Sequence, residues 1–478
     1  MSGVIIIGSG HAGTNTAINL RRSGYEDNII IFSIENELPY HRPPLSKKFF
    51  KGDISFEGIL IKNESFYSDN NIQLKTNSEI VEVNAKEKYL RTCSGDQYEF
   101  SCLVFATGSS SRVFSESVFP DIDIYYLRNI ADVNNINILL KDSKKPLLIG
   151  GGYIGLELAA SMTEMGMPVS IIEQEERLLK RVTAPVMSEF YKDLHESRGV
   201  QIFCNQSIKT INKLDNEYEV LTSDGNSIKT DFIIAGIGAI PNDELAQEAG
   251  IKCKNGILVD QYCRTNIPYI FAAGDCANAF NDLYGFSMRV ESVPSANAHA
   301  KVVTSSILGN EITNRELPWF WSDQYEFKLQ MAGLSEGYDE IHIHGKIEEN
   351  AFMACYGKEG SLIAVDSVNM PGIYRFDIPN AVFASGVNSA AIEIFNSNTN
   401  DRFVITYHFT QEMQLDLTQS IPNSTITGSI GEALNAMRAQ GFGKWTFDGT
   451  NLSMYAADNV TILKTLTFNS VSNPTMRS

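Results

Sequence analysis

Short, unbroken apolar runs that stop at glycine set the pattern of the first 300 residues. Residues 4–7 (Val-Ile-Ile-Ile) run into Gly8, and residues 146–149 (Pro-Leu-Leu-Ile) run into Gly150. A half-exposed strand alternates polar and apolar positions, so a continuous run this short predicts a strand buried on both faces. A helix-like stretch follows each glycine-rich turn, at residues 14–22 and 158–165. Further buried runs occupy residues 29–32, 103–106, 169–172, 232–235 and 270–273. Strands alternating with helices predict α/β architecture with parallel sheets.

The same unit occurs twice. Gly8-Ser9-Gly10-His11-Ala12-Gly13 and Gly150-Gly151-Gly152-Tyr153-Ile154-Gly155 both fit Gly-x-Gly-x-x-Gly between a strand and a helix. The first glycine makes the tight turn, the second lets backbone approach a pyrophosphate, and the third lets helix and strand pack closely. The helix N-terminus offers free N–H groups and partial positive charge to the phosphates. Each copy has an acidic residue after the next strand: Glu35, 22 residues past Gly13, and Glu173, 18 past Gly155. A carboxylate there accepts from ribose hydroxyls, and it repels a 2′-phosphate, so Glu173 favours NADH over NADPH. Two dinucleotide sites in one chain imply two Rossmann-like dinucleotide-binding domains. FAD and NADH are the economical pair, because a hydride needs a donor and an acceptor.

Other apolar strands end in glycine where the chain passes a cofactor or crosses between domains: Thr107-Gly108, and Gly236-Ile237-Gly238 before Pro241-Asn242. The run ending at Gly274-Asp275 is expected to deliver Asp275 to the start of a helix, where it can hold a ribityl hydroxyl or cap the helix.

Charge and cysteines narrow the chemistry. The net charge of −18 argues against nucleic acid as a partner. Residues 373–478 carry 6 Lys+Arg and 8 Asp+Glu, so −16 belongs to the first 372 residues. None of the 7 cysteines forms Cys-x-x-Cys or stands at metal-like spacing to a histidine, so neither a dithiol nor a metal site is expected. With no run of 18 apolar residues and no basic leader, the chain is expected in the cytoplasm, away from membranes, as a monomer or homodimer.

Several longer motifs occur in order: Tyr40-His41-Arg42-Pro43-Pro44-Leu45-Ser46-Lys47, the second fingerprint continuing to Glu157, Arg289-Val290-Glu291-Ser292, and Pro318-Trp319-Phe320-Trp321-Ser322-Asp323-Gln324-Tyr325. With them, residues 1–372 closely resemble the FAD-dependent, NADH-linked reductases that serve ferredoxins and rubredoxins, relatives of apoptosis-inducing factor and monodehydroascorbate reductase. The resemblance implies an FAD-binding domain at 1–110 and 240–312, an inserted NAD-binding domain at 111–239, and a C-terminal α+β reductase domain at 313–371. It implies a Lys47–Glu157 ion pair beside the flavin, Arg42 at the FAD pyrophosphate or adenine side, and Trp321 covering the flavin near the electron exit. It also implies that Glu291, Ser292 and Val293 lead into a helix from about residue 296 that points at the flavin pyrimidine. The partner it implies is a ferredoxin- or rubredoxin-type carrier. Peroxide- and disulfide-reducing relatives carry a cysteine near residue 42, but residues 39–50 here contain none.

Past residue 371 the pattern changes. The family's closing helix is missing, so the reductase domain reads as truncated. Residues 372–478 are rich in Asn, Ser and Thr and read as an appended, mostly β module. Strand-like runs lie at 372–377, 390–395, 402–410, 452–455 and 460–468, with one helix at 429–440 and an Asp448-Gly449 turn. This segment weakly resembles C-terminal modules of tailed-phage virion proteins. The junction is either a fusion, natural or from sequence assembly, or a divergent C-terminus. The functional alternatives to a reductase are an NADH-sensing flavoprotein that signals to a partner, and a virion-associated protein carrying an inactive reductase relic.

Overall fold

A computed structural model describes residues 3–141, 145–215 and 217–369, and beyond them the strands Gly372–Pro379, Ser389–Asn396, Ile405–Phe409, Trp445–Phe447, Asn451–Tyr455, Ile462–Phe468 and Met476–Arg477. The chain forms two compact units, residues 1–370 with 381–386, and residues 371–380 with 387–478.

The apolar runs of the first unit build two sheets whose parallel strands are arranged alike; the first also carries the antiparallel strands Tyr89–Thr92 and Ile80–Asn84. In the first, Ile72–Lys75, Ile29–Phe32, Gly3–Ile7 and Gln97–Phe105 lie side by side, and Ile270–Ala272 adds on the far edge of Gln97–Phe105. In the second, Gln201–Phe203, Ser170–Ile172, Pro146–Ile149, Phe232–Ala235 and Ile124–Tyr125 repeat the arrangement. Gly3–Ile7 and Pro146–Ile149, one from each sheet, are buried along their whole length, as uninterrupted apolar runs require. The expected α/β class with two Rossmann-like units is the class observed.

The chain leaves the first sheet and returns to it at one seam. Ser109–Ser111 pairs antiparallel with Ala239–Pro241. Beside it, Thr107 Oγ1 donates to the Asn242 carbonyl (2.6 Å) and Asn242 Nδ2 donates to the Thr107 carbonyl (2.9 Å). The glycine-ended strands singled out in the sequence therefore serve as crossing points.

Both fingerprint helices start earlier than expected, at His11 and Tyr153 rather than at residues 14 and 158. The third glycine of each motif lies inside the first turn. Apolar periodicity cannot register a glycine there, because its role is close packing. The later helix also starts earlier, spanning Val293–Ile307 rather than beginning near 296; Ser292 caps it by accepting from Ser295 N, and Pro294 fits the first turn. Asp275 does not reach a helix start. It sits in a short 3₁₀ turn, Gly274–Cys276, that leads straight into the strand Ala277–Asn281.

A five-stranded antiparallel sheet completes the first unit, ordered Trp319–Gln324, Phe327–Gly333, Ser361–Val368, Ala351–Lys358 and Glu340–Lys346. One apolar core joins it to the second parallel sheet, with Phe327, Leu329 and Phe352 packed among Leu156, Leu158 and Phe190. A polar tie crosses the same boundary: the Asp366 carboxylate accepts from the hydroxyls of Thr183 and Tyr356.

In the second unit, Gly372–Pro379, Ser389–Asn396 and Ile405–Phe409 form one antiparallel sheet, and the last four strands form another. The expected helix at 429–440 and the Asp448-Gly449 turn lie outside the described residues.

Burial pushes the Asp366 carboxyl up to about 7, against the pull of its two hydroxyl donors. The folded state therefore binds this proton more tightly than the unfolded chain does. The stabilisation is complete below the unfolded carboxyl's ordinary value and is lost as pH rises through about 7. Thermal unfolding of the wild type and of Asp366→Asn between pH 5 and 8 should show a smaller fall in stability with rising pH for the variant.

Candidate active site

The three glycines of each fingerprint divide their tasks as the motif requires. Gly8 and Gly150 have φ of +111° and +106°, and a Cβ on them would come within 2.1 Å of the Ala106 carbonyl oxygen and 2.4 Å of the Gly236 carbonyl oxygen. A Cβ on Gly13 would lie 2.0 Å from the Gly8 oxygen, and one on Gly155 would lie 2.2 Å from the Gly150 oxygen. The middle glycines differ: nothing lies within 4 Å of a Cβ placed on Gly10 or Gly152. Both are N-caps with no side-chain cap, so the helix N–H groups face open space. Two glycine turns, each at a helix N-terminus and each open at its middle glycine, form cradles that fit two pyrophosphates.

The acidic partners are in place, and each is already engaged. Glu35 accepts from Arg42 Nη2 and from the Tyr40 hydroxyl. Arg42 also donates to the Arg128 carbonyl (2.9 Å), and Arg128 Nη2 pairs with Asp275 Oδ2 (3.0 Å), which accepts from Ser109 Oγ as well. Arg42, Arg128 and Asp275 thus form one charged cluster beside Gly108, whose added Cβ would stand 3.5 Å from Arg128 Nη2. In the second site, Glu173 Oε2 accepts from Gly151 N (2.6 Å) and Oε1 from Glu175 N (2.8 Å), which fixes its carboxylate at the strand end. Glu291 pairs with Arg289.

A nearly buried ion pair ties the segment after Pro43 to the second fingerprint helix. Lys47 follows the 3₁₀ turn Pro43–Ser46, and Glu157 lies on the helix Tyr153–Glu164. Lys47 Nζ is 2.8 Å from Glu157 Oε2. Ser46 Oγ donates to the same oxygen (2.5 Å), and Ser322 Oγ donates to Oε1 (2.6 Å). Hence the lysine of the first half, the helix of the second and a strand of the antiparallel sheet meet on one carboxylate. A cleft of about 1090 Å³ opens at the second fingerprint, lined by Gly150, Gly152, Gly155, Glu173 and Gly238 and reaching Arg128, Glu291, Ser292, Trp319 and Phe320; Lys47, Glu157 and the first fingerprint are not among its lining residues.

Trp321 stacks on Trp319 with ring centroids 5.3 Å apart, whereas Phe320 packs on Tyr153 at 4.5 Å. Alternation along the strand thus puts Trp321 on the face opposite Ser322. Of this strand's aromatics, Trp319 and Phe320 line the cleft, with Tyr153, Phe114 and Phe119 from elsewhere, and Trp321 does not. All seven cysteines are free. Among the described residues, no group of three or more His, Cys, Asp or Glu could hold a metal ion.

Residues 2–300 match the pyridine nucleotide-disulphide oxidoreductase family, and residues 319–391 match the reductase C-terminal family. The chain belongs to the pyridine nucleotide-disulphide oxidoreductase family. It is 37% identical to putidaredoxin reductase of Pseudomonas putida over 77% of this chain and 89% of that protein. It is 38% identical to a ferredoxin–NAD(P)(+) reductase of a Sphingomonas species, over 77% and 89%, and 35% identical to the rubredoxin–NAD(+) reductase of Ectopseudomonas oleovorans, over 77% and 96%. Among solved structures, the putidaredoxin reductase–putidaredoxin covalent complex aligns with a TM-score of 0.73 at 36% identity, over 77% of this chain and 90% of that one. The second family match runs past residue 371, where the sequence alone placed the end of the reductase pattern. No match supports the phage resemblance of the C-terminal segment.

The chain is accordingly an FAD-dependent oxidoreductase that uses NADH. FAD would supply the hydride acceptor, and the residues described above would contribute position and charge. Arg128, Tyr40, Ser46 and Ser322 are site residues that motif reading did not single out. Ser46 and Ser322 lie inside quoted motifs, so a search for donors next to Lys47 and Trp321 could have found them. Arg128 has no local signal, since only the fold brings it to Asp275.

The glycines provide a paired test. Gly13→Ala should destabilise the protein by about 1–3 kcal/mol, because backbone oxygen stands where the methyl must go. Gly10→Ala should keep the thermal stability of the cofactor-free protein and lose FAD affinity. Thermal unfolding of the apoprotein and FAD titration separate the two.

Proposed function

We propose that the chain passes hydride from NADH to FAD and then single electrons to a ferredoxin- or rubredoxin-type carrier, in the cytoplasm. The observation that carries this reading is the nearly buried Lys47–Glu157 pair, which joins the first-half segment 43–47 to the second fingerprint helix and is read here as the place where the two cofactors meet. A fixed cation there stabilises negative charge on a reduced cofactor without reorganising. Glu173 in the second site favours a ribose 2′-hydroxyl over a 2′-phosphate and hence NADH. The lack of cysteine in residues 39–50 leaves no dithiol to take the electrons, which supports an external carrier. The putidaredoxin and rubredoxin in the names of the relatives point the same way.

Residues 1–110 with 240–312 serve as the FAD-binding part, 111–239 as the NAD-binding part and 313 to about 391 as the reductase C-terminal part in this reading, the last bound moved from 371 by the family match. The residues that follow are read as an appended β-rich module. An intact mass near 53.0 kDa for the protein isolated from its source would support one continuous chain; a product ending near residue 372 would count against it.

Stopped-flow mixing with NADH and NADPH, followed by ferredoxin, rubredoxin and quinone acceptors, tests the whole reading. NADH should bleach the flavin faster than NADPH, and a one-electron carrier should restore its colour. Slow bleaching with a long-lived charge-transfer band would favour the signalling alternative, and a colourless protein would defeat both. Lys47→Met should slow flavin reduction by about 100-fold, as expected for loss of one preorganised electrostatic group.

A further inference from the structure

A line of buried polar side chains extends from the Lys47–Glu157 pair, and binding two dinucleotides does not call for it. Ser322 Oγ, 2.6 Å from Glu157 Oε1, accepts from Gln324 Nε2 at 3.2 Å. Gln324 Oε1 lies 2.9 Å from His195 Nε2, and His195 Nδ1 lies 3.1 Å from the Tyr325 hydroxyl. Ser322, Gln324 and His195 have no exposed surface. An unmet hydrogen bond at any of them would carry its full desolvation penalty.

The proton positions follow by elimination. The Glu157 carboxylate, paired with Lys47, can only accept, so the Ser322 hydroxyl donates to it. That hydroxyl has spent its one hydrogen and must accept from the Gln324 amide nitrogen. The Gln324 oxygen can only accept, so His195 carries its proton on Nε2. Burial pushes the His195 imidazolium down to about 4, so the ring is neutral near pH 7 and its bare Nδ1 accepts from Tyr325. Every donor in the line therefore points toward Glu157. A side-chain amide does not pass a proton without leaving its stable tautomer, so the line orients a carboxylate rather than conducting protons.

The far end is held against a backbone preference. Tyr325 has φ of +55° in the tight turn between Trp319–Gln324 and Phe327–Gly333. A side chain is crowded in that region, where glycine is the usual choice. The Arg198 guanidinium covers the Tyr325 ring at 5.1 Å and pairs with Glu326. The turn thus holds a tyrosine whose hydroxyl meets His195.

We propose that His195 is a positioning residue for the Lys47–Glu157 pair. Through Gln324 and Ser322 it fixes Glu157 Oε1, so that Oε2 stays turned to Lys47 and Ser46, and Lys47 stays at one place beside the FAD. This inference rests on the reading that FAD and NADH meet at that pair.

The test uses the FAD-loaded full chain as wild type, His195→Leu and His195→Gln. The glutamine amide can replace the Nε2–H donor. The readouts are the visible spectrum of the bound flavin, its midpoint potential, and the dependence of its reduction rate on NADH concentration. His195→Leu should lower the limiting rate about tenfold with KM for NADH unchanged, and should change the flavin reduction equilibrium by about tenfold, or ~30 mV for a two-electron couple. His195→Gln should restore most of both. The proposal is overturned if His195→Leu loses only thermal stability while spectrum, potential and limiting rate stay at wild-type values, or if His195→Gln restores nothing. Should His195→Leu not fold, Ser322→Ala removes a single oxygen from the same line and is judged by the same readouts. A wild type that NADH does not bleach would defeat the underlying reading, whereas a bleached wild type with indistinguishable variants would defeat this inference alone.

Discussion

A carboxylate taken out of water has to be met on both oxygens, and Glu157 is the group on which this architecture converges. Its side chain is only 6% exposed. Desolvating an ion costs several kcal/mol unless a counter-charge and hydrogen bonds offset it, and removing one partner of a buried pair typically costs about 3–5 kcal/mol. The partners come from three places in the sequence: Ser46 and Lys47 from the segment after the first acidic strand end, Ser322 from the antiparallel sheet, and the carboxylate itself from the second fingerprint helix. No one of these parts can shift far without exposing or orphaning the charge. The buried pair is weak evidence for stability as such. It is better read as a constraint on position, which fixes where Ser46 and Lys47, the second fingerprint helix and the antiparallel sheet stand relative to one another. Ser161 Oγ, one turn further along the same helix, donates to the Ser46 carbonyl (2.7 Å) and repeats the tie.

Much of this was legible in sequence because the strongest signals are local. A continuous apolar run that stops at glycine can be little other than a buried strand leading into a turn, and two such units with acidic followers name the ligand class. The helix starts at His11, Tyr153 and Val293 were misplaced for a common reason. Their first turns hold glycine, proline or serine, whose roles are close approach and capping, and hydrophobic periodicity cannot see either. Asp275 was misread because glycine followed by aspartate looks the same before a helix as before a 3₁₀ turn. The contacts that matter most to chemistry join residues far apart in the chain: Glu157 meets Ser322 across 165 positions, and Arg128 meets Asp275 across 147. No periodicity carries such pairs. Only the family motifs hinted at the first, by placing Trp321 beside Ser322.

The charge of the chain sharpens one last point about the cradles. A protein of net charge −18 must still bind two pyrophosphates. It does so without a broad basic face. Glycine-lined backbone and helix N-termini provide the first contacts, and these need no formal charge. Three of the arginines nearby are matched with an acid, Arg42 with Glu35, Arg128 with Asp275 and Arg289 with Glu291, while Arg112 and Arg181 also line the cleft. A matched arginine has a fixed fork, so less conformational freedom is lost when a ligand oxygen joins it. The cost is attraction, because each carboxylate cancels much of its partner's field beyond contact range. At those three positions the site gives up long-range attraction of anions in favour of geometry at short range. That exchange suits the proposed arrangement, in which two ligands would meet at one carboxylate-held lysine.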